Sequence, residues 1–295
     1  MNKRFLVNQK LKNLMHTILI LLMLAALLGG LGWTIAGTTG LLFALVLSVA
    51  SYFLTPRVPA HLIMLASGAR RVSPGSLPQL HGIAGTLSQR AGLTTLPRLY
   101  YHPSARLNAF AAGTPEDPAI CVSRGLLSVL NLDEIAGVMG HEISHISNND
   151  MKVMGFAALF GLLTQFASLA GQLLLLFSLP LILLSDVEIS LVALALLIFA
   201  PALSTLLQFT LSRTREFDAD LGSAFLTGNP LMLASALNKL EVYRQHGLKR
   251  FFRLAPDQGL VWLNTHPSTG ERIRRLMNYM PGRSNKFGQE GYCYP

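Results

Sequence analysis

The chain has 295 residues, of which 51% are hydrophobic and only 13% charged, and carries a formal net charge of +9. An ordinary soluble globule has about 25% charged residues, so that class is excluded, and the length leaves room for one domain beside several membrane spans. Two cysteines, Cys121 and Cys293, make neither a disulfide framework nor a metal knuckle. No nucleic-acid motif accompanies the basic charge, which flanks apolar segments and suits anionic lipid headgroups.

In chain order, residues 1–14 form a basic N-terminus with Lys3, Arg4, Lys10 and Lys12. The uncharged runs Met15–Trp33 and Ile35–Leu54 follow, separated by a Gly/Thr-rich turn. Each is long enough to cross a hydrocarbon core of about 30 Å, so residues 15–54 read as a first transmembrane hairpin. The start resembles a signal peptide. With a second span at once behind it and a poor cleavage signal near Gly30–Gly32, it reads as an uncleaved anchor.

Residues 55–153 change character to α+β. Leu77–Ala91 has helical periodicity ended by Gly92, and Arg98–Tyr101, Leu107–Ala112 and Ala119–Val122 read as short strands. Cys121 falls in the last of these as a buried strand residue. The run Asp133–Asp150 predicts a helix on the spacing of Ile135, Val138, Met139, Ile143 and Ile146. Asn131 or Asp133 would cap it, and it is expected to continue straight into the next span.

Residues 154–211 read as a second hairpin, built of Met154–Leu184 and Ile189–Leu211 around the acidic connector Ser185–Glu188. Gln165, Gln172, Pro180, Pro201 and Gln208 interrupt it. Gln165 and Gln172 share a helix face and are expected against neighbouring helices. Residues 212–295 complete the domain with helices over Met232–His246 and Thr269–Tyr279. Lysines and arginines flank every span, and the two hairpin connectors have none. By the positive-inside rule, both termini and the 55–153 and 212–295 segments face the cytoplasm.

Chemistry concentrates in His141-Glu142-Ile143-Ser144-His145. Positions i and i+4 share a helix face, so both imidazoles can reach one metal ion, and Glu142 is close enough to polarise a metal-bound water. A catalytic zinc usually takes a third protein ligand and keeps a fourth position open. Glu216, in the crowded stretch Arg213–Asp220, can supply it. Asp220, one turn further on, can accept the outward N–H of a ligating imidazole. Asn108 lies where an edge strand could pair with an extended peptide, and a turn-capping role suits it equally. His266 could donate a hydrogen bond to a developing oxyanion, or simply cap the helix that follows. His16, His61, His81, His102 and His246 have no partners at ligand spacing.

The stretches SGARRVSPGSLPQLHG from Ser67, NAFAAG from Asn108, GHEISHISNND from Gly140, SRTREFDAD from Ser212 and HPSTGERIRRL from His266 resemble the HtpX-type membrane zinc metalloproteases. These are related more distantly to the CAAX prenyl endopeptidases. The resemblance implies one zinc per chain on His141, His145 and Glu216, Glu142 as base, and Asn108 and His266 as substrate or transition-state contacts. Ser268 and Gly270 depart from the usual Pro and Glu. The expected fold is α+β and mostly helical, an integral membrane protein with four transmembrane helices and a zincin-type, gluzincin-like domain.

The expected function is hydrolysis of polypeptides, with membrane proteins as the expected substrates, by metal-activated water at the cell inner membrane. A quality-control role follows from the resemblance. A dedicated processing protease is the alternative of the same class. A silent zinc-binding scaffold is the alternative of another class, and Glu142, which a structural zinc would not need, speaks against it.

Overall fold

The computed structural model describes residues 3–54, 58–184, 190–251 and 267–279. The 185–188 connector, His266 and Cys293 lie outside them. Among the described residues three helices are long and apolar enough to cross a membrane: α1 (Lys3–Leu54), α6 (Asp150–Leu183) and α7 (Leu191–Thr227).

Helix α1 is not one straight rod. Its backbone leaves helical geometry at Ala36 (φ −138°) and Gly37 (φ 59°), the second a left-handed conformation that glycine adopts without strain. A side chain on Gly32 would collide with the Gly40 carbonyl, and one on Gly40 with that of Gly32. Eight residues apart on a continuous helix, those groups would be about 12 Å from each other. The chain therefore doubles back, and the two glycines let its arms touch. Ile20, Leu24, Leu28 and Ala44 of α1 pack with Ala157 and Phe160 of α6 and Leu207 and Leu211 of α7 in a core between the long helices.

Pro201 interrupts α7 without unfolding it. It has no N–H, so the Leu197 carbonyl one turn earlier loses its helical donor. Gln172 of α6 supplies a replacement from its amide at 2.9 Å, and the Ser168 hydroxyl donates to the same oxygen. One glutamine of the expected pair thus bonds the neighbouring helix for a definite reason. Gln165, exposed as Gln172 is, does not share that contact.

The remaining elements form an α+β unit. They are α2 (Ala60–Ala66), β1 (Arg70–Arg71), α3 (Pro78–Ala91), β2 (Arg98–His102), β3 (Ala109–Gly113), β4 (Pro118–Ser123), α4 (Arg124–Val129), α5 (Leu132–Ser147), α8 (Pro230–Phe251) and α9 (Thr269–Asn278). The strand order is β1-β2-β4-β3, with β2 and β4 parallel and the other pairs antiparallel. Every residue of β4 is buried, and burial raises the Cys121 thiol to a pKa of about 11. Strand β3 lies at the edge, its outer backbone groups available to another chain.

Helix α5 starts on a capping box. The Asn131 side chain accepts from Glu134 N–H and the Glu134 carboxylate accepts from Asn131 N–H, each at 2.9 Å. Glu134 also receives the Ser235 hydroxyl at 2.7 Å and the Lys239 ammonium at 2.8 Å, which fastens α8 to α5.

The expected straight run from this helix into the next span does not occur. Helix α5 stops at Ser147, Asn149 takes a left-handed φ of 56°, and α6 begins afresh at Asp150. Asparagine tolerates that conformation better than most residues, and two of them in sequence end the helix.

Candidate metal centre

The site forms where α5 and α7 lie antiparallel at unusually close range. Small residues make the approach possible. A side chain at Gly222 would overlap the Ser144 hydroxyl and one at Gly140 would come within 3.1 Å of the Ser223 hydroxyl, while towards α8 a side chain at Gly137 would strike the Leu233 backbone. Ser223 fixes the contact by donating to the Gly137 carbonyl at 2.6 Å. Two helices seated this tightly bring His141 and His145 of one against Glu216 of the other.

The geometry is that of a three-donor set. The two Nε2 atoms are 3.1 Å apart, His141 Nε2 is 3.6 Å from Glu216 Oε2, and His145 Nε2 is 3.8 Å from Glu216 Oε1. Zinc–donor bonds of about 2.0–2.2 Å give tetrahedral donor–donor edges of roughly 3.3–3.6 Å, and one ligand atom from each of the three side chains lies within 4.8 Å of the others, so the three residues could hold one ion. The outward nitrogens are engaged as well. His141 Nδ1 lies 3.0 Å from Asp220 Oδ1, and His145 Nδ1 lies 2.8 Å from Asp150 Oδ2. An N–H donated outward on each ring leaves both Nε2 lone pairs facing each other beside a carboxylate. Such a cluster of acceptors needs a cation.

Electrostatics agree. Burial disfavours the charged form of His145, but the hydrogen bond to Asp150 and the charges of Glu142, Asp150 and Glu216 outweigh it and raise its pKa. Arg272 of α9 tempers this negative charge. It grips Asp220 with Nε at 2.9 Å and a terminal nitrogen at 2.6 Å, and its other terminal nitrogen lies 3.2 Å from Glu216.

A cavity of about 550 Å³ opens onto the donors. Its walls include residues 107–111 at the start of β3, Glu142, Arg272, and the apolar side chains Leu126, Val138, Leu233, Leu237 and Leu240. Of the residues expected at the site, the structure brings together His141, Glu142, His145, Glu216 and Asp220. Asn108 also lines the cavity; its side chain is exposed, while its backbone N–H and C=O both bond Ser123 at 3.0 Å. His266 lies outside the described residues, although Pro267 beside it is buried.

Two participants escape the sequence reading. Asp150 stands five residues beyond His145, where a helix continuing from α5 would have carried it to another face. The Asn148–Asn149 break turns it back. Arg272 reads as one of several arginines on a basic helix, and only tertiary contact distinguishes it.

Apolar helices of membrane length, a His/His/Glu set with His141 and Glu216 buried and His145 half-buried, an adjacent glutamate and an edge strand define a membrane metalloprotease. Residues 76–280 match peptidase family M48, and the chain belongs to that family. It is 32% identical over 285 residues to a protein named Protease HtpX homolog from Salinibacter ruber, covering 92% of this chain and 99% of that one. A protein of the same name from Desulfatibacillum aliphaticivorans is 33% identical over 287 residues, covering 91% and 90%. The HtpX-type resemblance read from the sequence is thereby borne out.

Proposed function

We propose that this membrane metalloprotease binds one zinc ion per chain through His141, His145 and Glu216 and cleaves polypeptides that emerge from the bilayer. The observation that carries the reading is the convergence of those three donors with both outward imidazole nitrogens held by carboxylates. A bound zinc supplies Lewis acidity and lowers the pKa of a coordinated water.

The chain's own residues do the rest. Glu142 takes the proton from the attacking water and returns it to the leaving amine. Asp220 and Asp150 hold the two rings in the tautomer that presents Nε2. Arg272 keeps Asp220 and Glu216 in place. An extended peptide pairs with the outer edge of β3 near Asn108, which contacts its backbone, and an apolar side chain fills the wall of Leu126, Val138, Leu233, Leu237 and Leu240. His266 is assigned, with Asn108, to substrate or transition-state contact on the resemblance.

In this reading both arms of α1 cross the bilayer, as do α6 and the first part of α7, giving four spans. Segments 55–153 and 212–295 meet on the cytoplasmic side of the inner membrane with both termini. A site in that place suits quality control of damaged or misfolded membrane proteins. The test is cleavage of a model membrane protein by purified wild type and Glu142→Gln, with and without chelator, alongside metal analysis of each. Chelator-sensitive cleavage that disappears in the variant, with about one zinc retained, is expected. Cleavage unaffected by chelator would overturn the reading.

A further inference from the structure

Beside the donors lies a second polar cluster, of which the mechanism uses Asp150 alone. Its centre is Arg215, only 7% exposed, adjacent in sequence to Glu216 but turned to the other side of α7. One terminal nitrogen of Arg215 lies 3.3 Å from Asp150 Oδ1 and 3.6 Å from Asp218 Oδ2. The other donates to the Thr17 hydroxyl at 2.6 Å and to the Asn13 carbonyl at 3.3 Å. Asn13 donates its side-chain amide to Asp218 Oδ1 at 3.0 Å, and Asn148 donates to Asp218 Oδ2 at 3.3 Å. Thr17, Asp150 and Asp218 are all buried.

Asp150 joins the two clusters. One of its oxygens meets Arg215 and the other meets His145 Nδ1. The side of Asp150 that faces the imidazole is therefore set by what holds the opposite side. That in turn is an arginine whose fork is aimed by the first membrane helix, about 200 residues away in sequence. A guanidinium is rigid and planar, so an acceptor fixing one of its nitrogens fixes the others. Burial of two carboxylates against one cation also makes each contact hard to replace with water.

We propose that Arg215 is a positioning residue for the metal site, and that Asn13 and Thr17 at the start of α1 hold it so that Asp150 orients His145. The inference rests on the metal reading above. It makes the first membrane helix part of the metal-binding apparatus as well as an anchor.

The experiment uses the full chain in detergent and measures zinc affinity by competition with a chromophoric chelator. Thr17→Val, which deletes the acceptor and keeps the shape, is expected to weaken zinc binding about 10-fold, the low end of losses from outer partners of a metal ligand. Thr17→Ser should restore wild-type affinity. Ser48→Ala, elsewhere on α1, should leave affinity unchanged. In an Asp150→Asn background Thr17→Val should add nothing, because the path through Asp150 is already cut; independent effects would multiply. If Thr17→Val does not fold, Arg215→Lys, which keeps the charge and loses the fork, is measured in its place with the same expected loss. A wild type without zinc affinity sinks the metal reading and this inference with it. A zinc-binding wild type indifferent to Thr17→Val, or multiplicative losses with Asp150→Asn, sinks this inference alone.

Discussion

The two halves of α7 obey opposite rules. Along its first half large apolar side chains point outward, with Phe199 and Leu203 exposed, and the polar Ser204 is buried. Along its second half the charged residues Arg215, Glu216, Asp218 and Asp220 are buried, and Phe225 is exposed. The first half is arranged for a surround that solvates hydrocarbon. There an unpaired backbone group is answered from the neighbouring helix, as Gln172 and the buried Ser168 of α6 do for the Leu197 carbonyl. In the second half burial serves chemistry, and each buried charge is matched by an opposite charge or an imidazole. One continuous helix thus carries both the membrane-facing surface and the third donor.

If this division is right, damage to the two halves should differ in kind. The largest effect is expected from Glu142→Gln, facing the second half, which should lower cleavage by about 100-fold or more while the metal content measured on the purified protein stays the same. A variant that cleaves normally would remove Glu142 from the reaction. Asp220→Ala should weaken metal binding about 10–100-fold in a chelator competition, because His141 loses the group that fixes its ring. Unchanged affinity would show that Arg272 and Glu216 hold the site without it.

Acid should loosen the same region through Glu134. Burial opposes the Glu134 charge, but bonds from Lys239, Ser235 and Asn131 outweigh it and set its pKa below the ordinary 4.5. A carboxyl lowered by folding contributes its stability in full above the unfolded value, and loses it as pH falls through the lowered one. Thermal melts of wild type and Glu134→Gln should therefore differ at neutral pH and converge in acid below about pH 4.5. A gap that persists into acid would rule out the ionised clasp.

The smallest effect belongs to the first half. Gln172→Leu strips a donor from the Leu197 carbonyl and should cost about 0.6 kcal/mol, the typical worth of a hydrogen bond between membrane helices, with cleavage per folded molecule unchanged. A loss of activity as large as that of Asp220→Ala would break the division altogether.

Much of this was legible from local pattern. Alternating and helical periodicities place α3, the three main strands and α9 within two residues and α8 with its end five residues short, and of the two caps the sequence offers for α5, Asn131 and Asp133, the structure uses Asn131. The donor set was legible because i, i+4 spacing carries its own geometry, and because Glu216 and Asp220 repeat that spacing. What was not legible depends on approach between elements. Nothing local marks Asp150 as a partner of His145 until Asn149 takes its left-handed turn, and nothing separates Arg272 from Arg274 or Arg275 until α9 docks. Gln165 and Gln172 look equivalent on a helical wheel and both are exposed, yet it is Gln172 that reaches the carbonyl Pro201 leaves open.

The Asn148–Asn149 joint also governs how bilayer thickness can reach the site. A spanning helix meets a thicker or thinner hydrocarbon layer by changing its tilt. Helix α6 can do so by pivoting at Asn149, because α5 is clasped to α7 and α8 by Ser223 and Glu134 and does not share its axis. Helix α7 has no such joint between its apolar half and Glu216. A change in the tilt of α7 would therefore carry Glu216 with it, whereas a change in the tilt of α6 would reach His145 only through Asp150, the first residue beyond the joint.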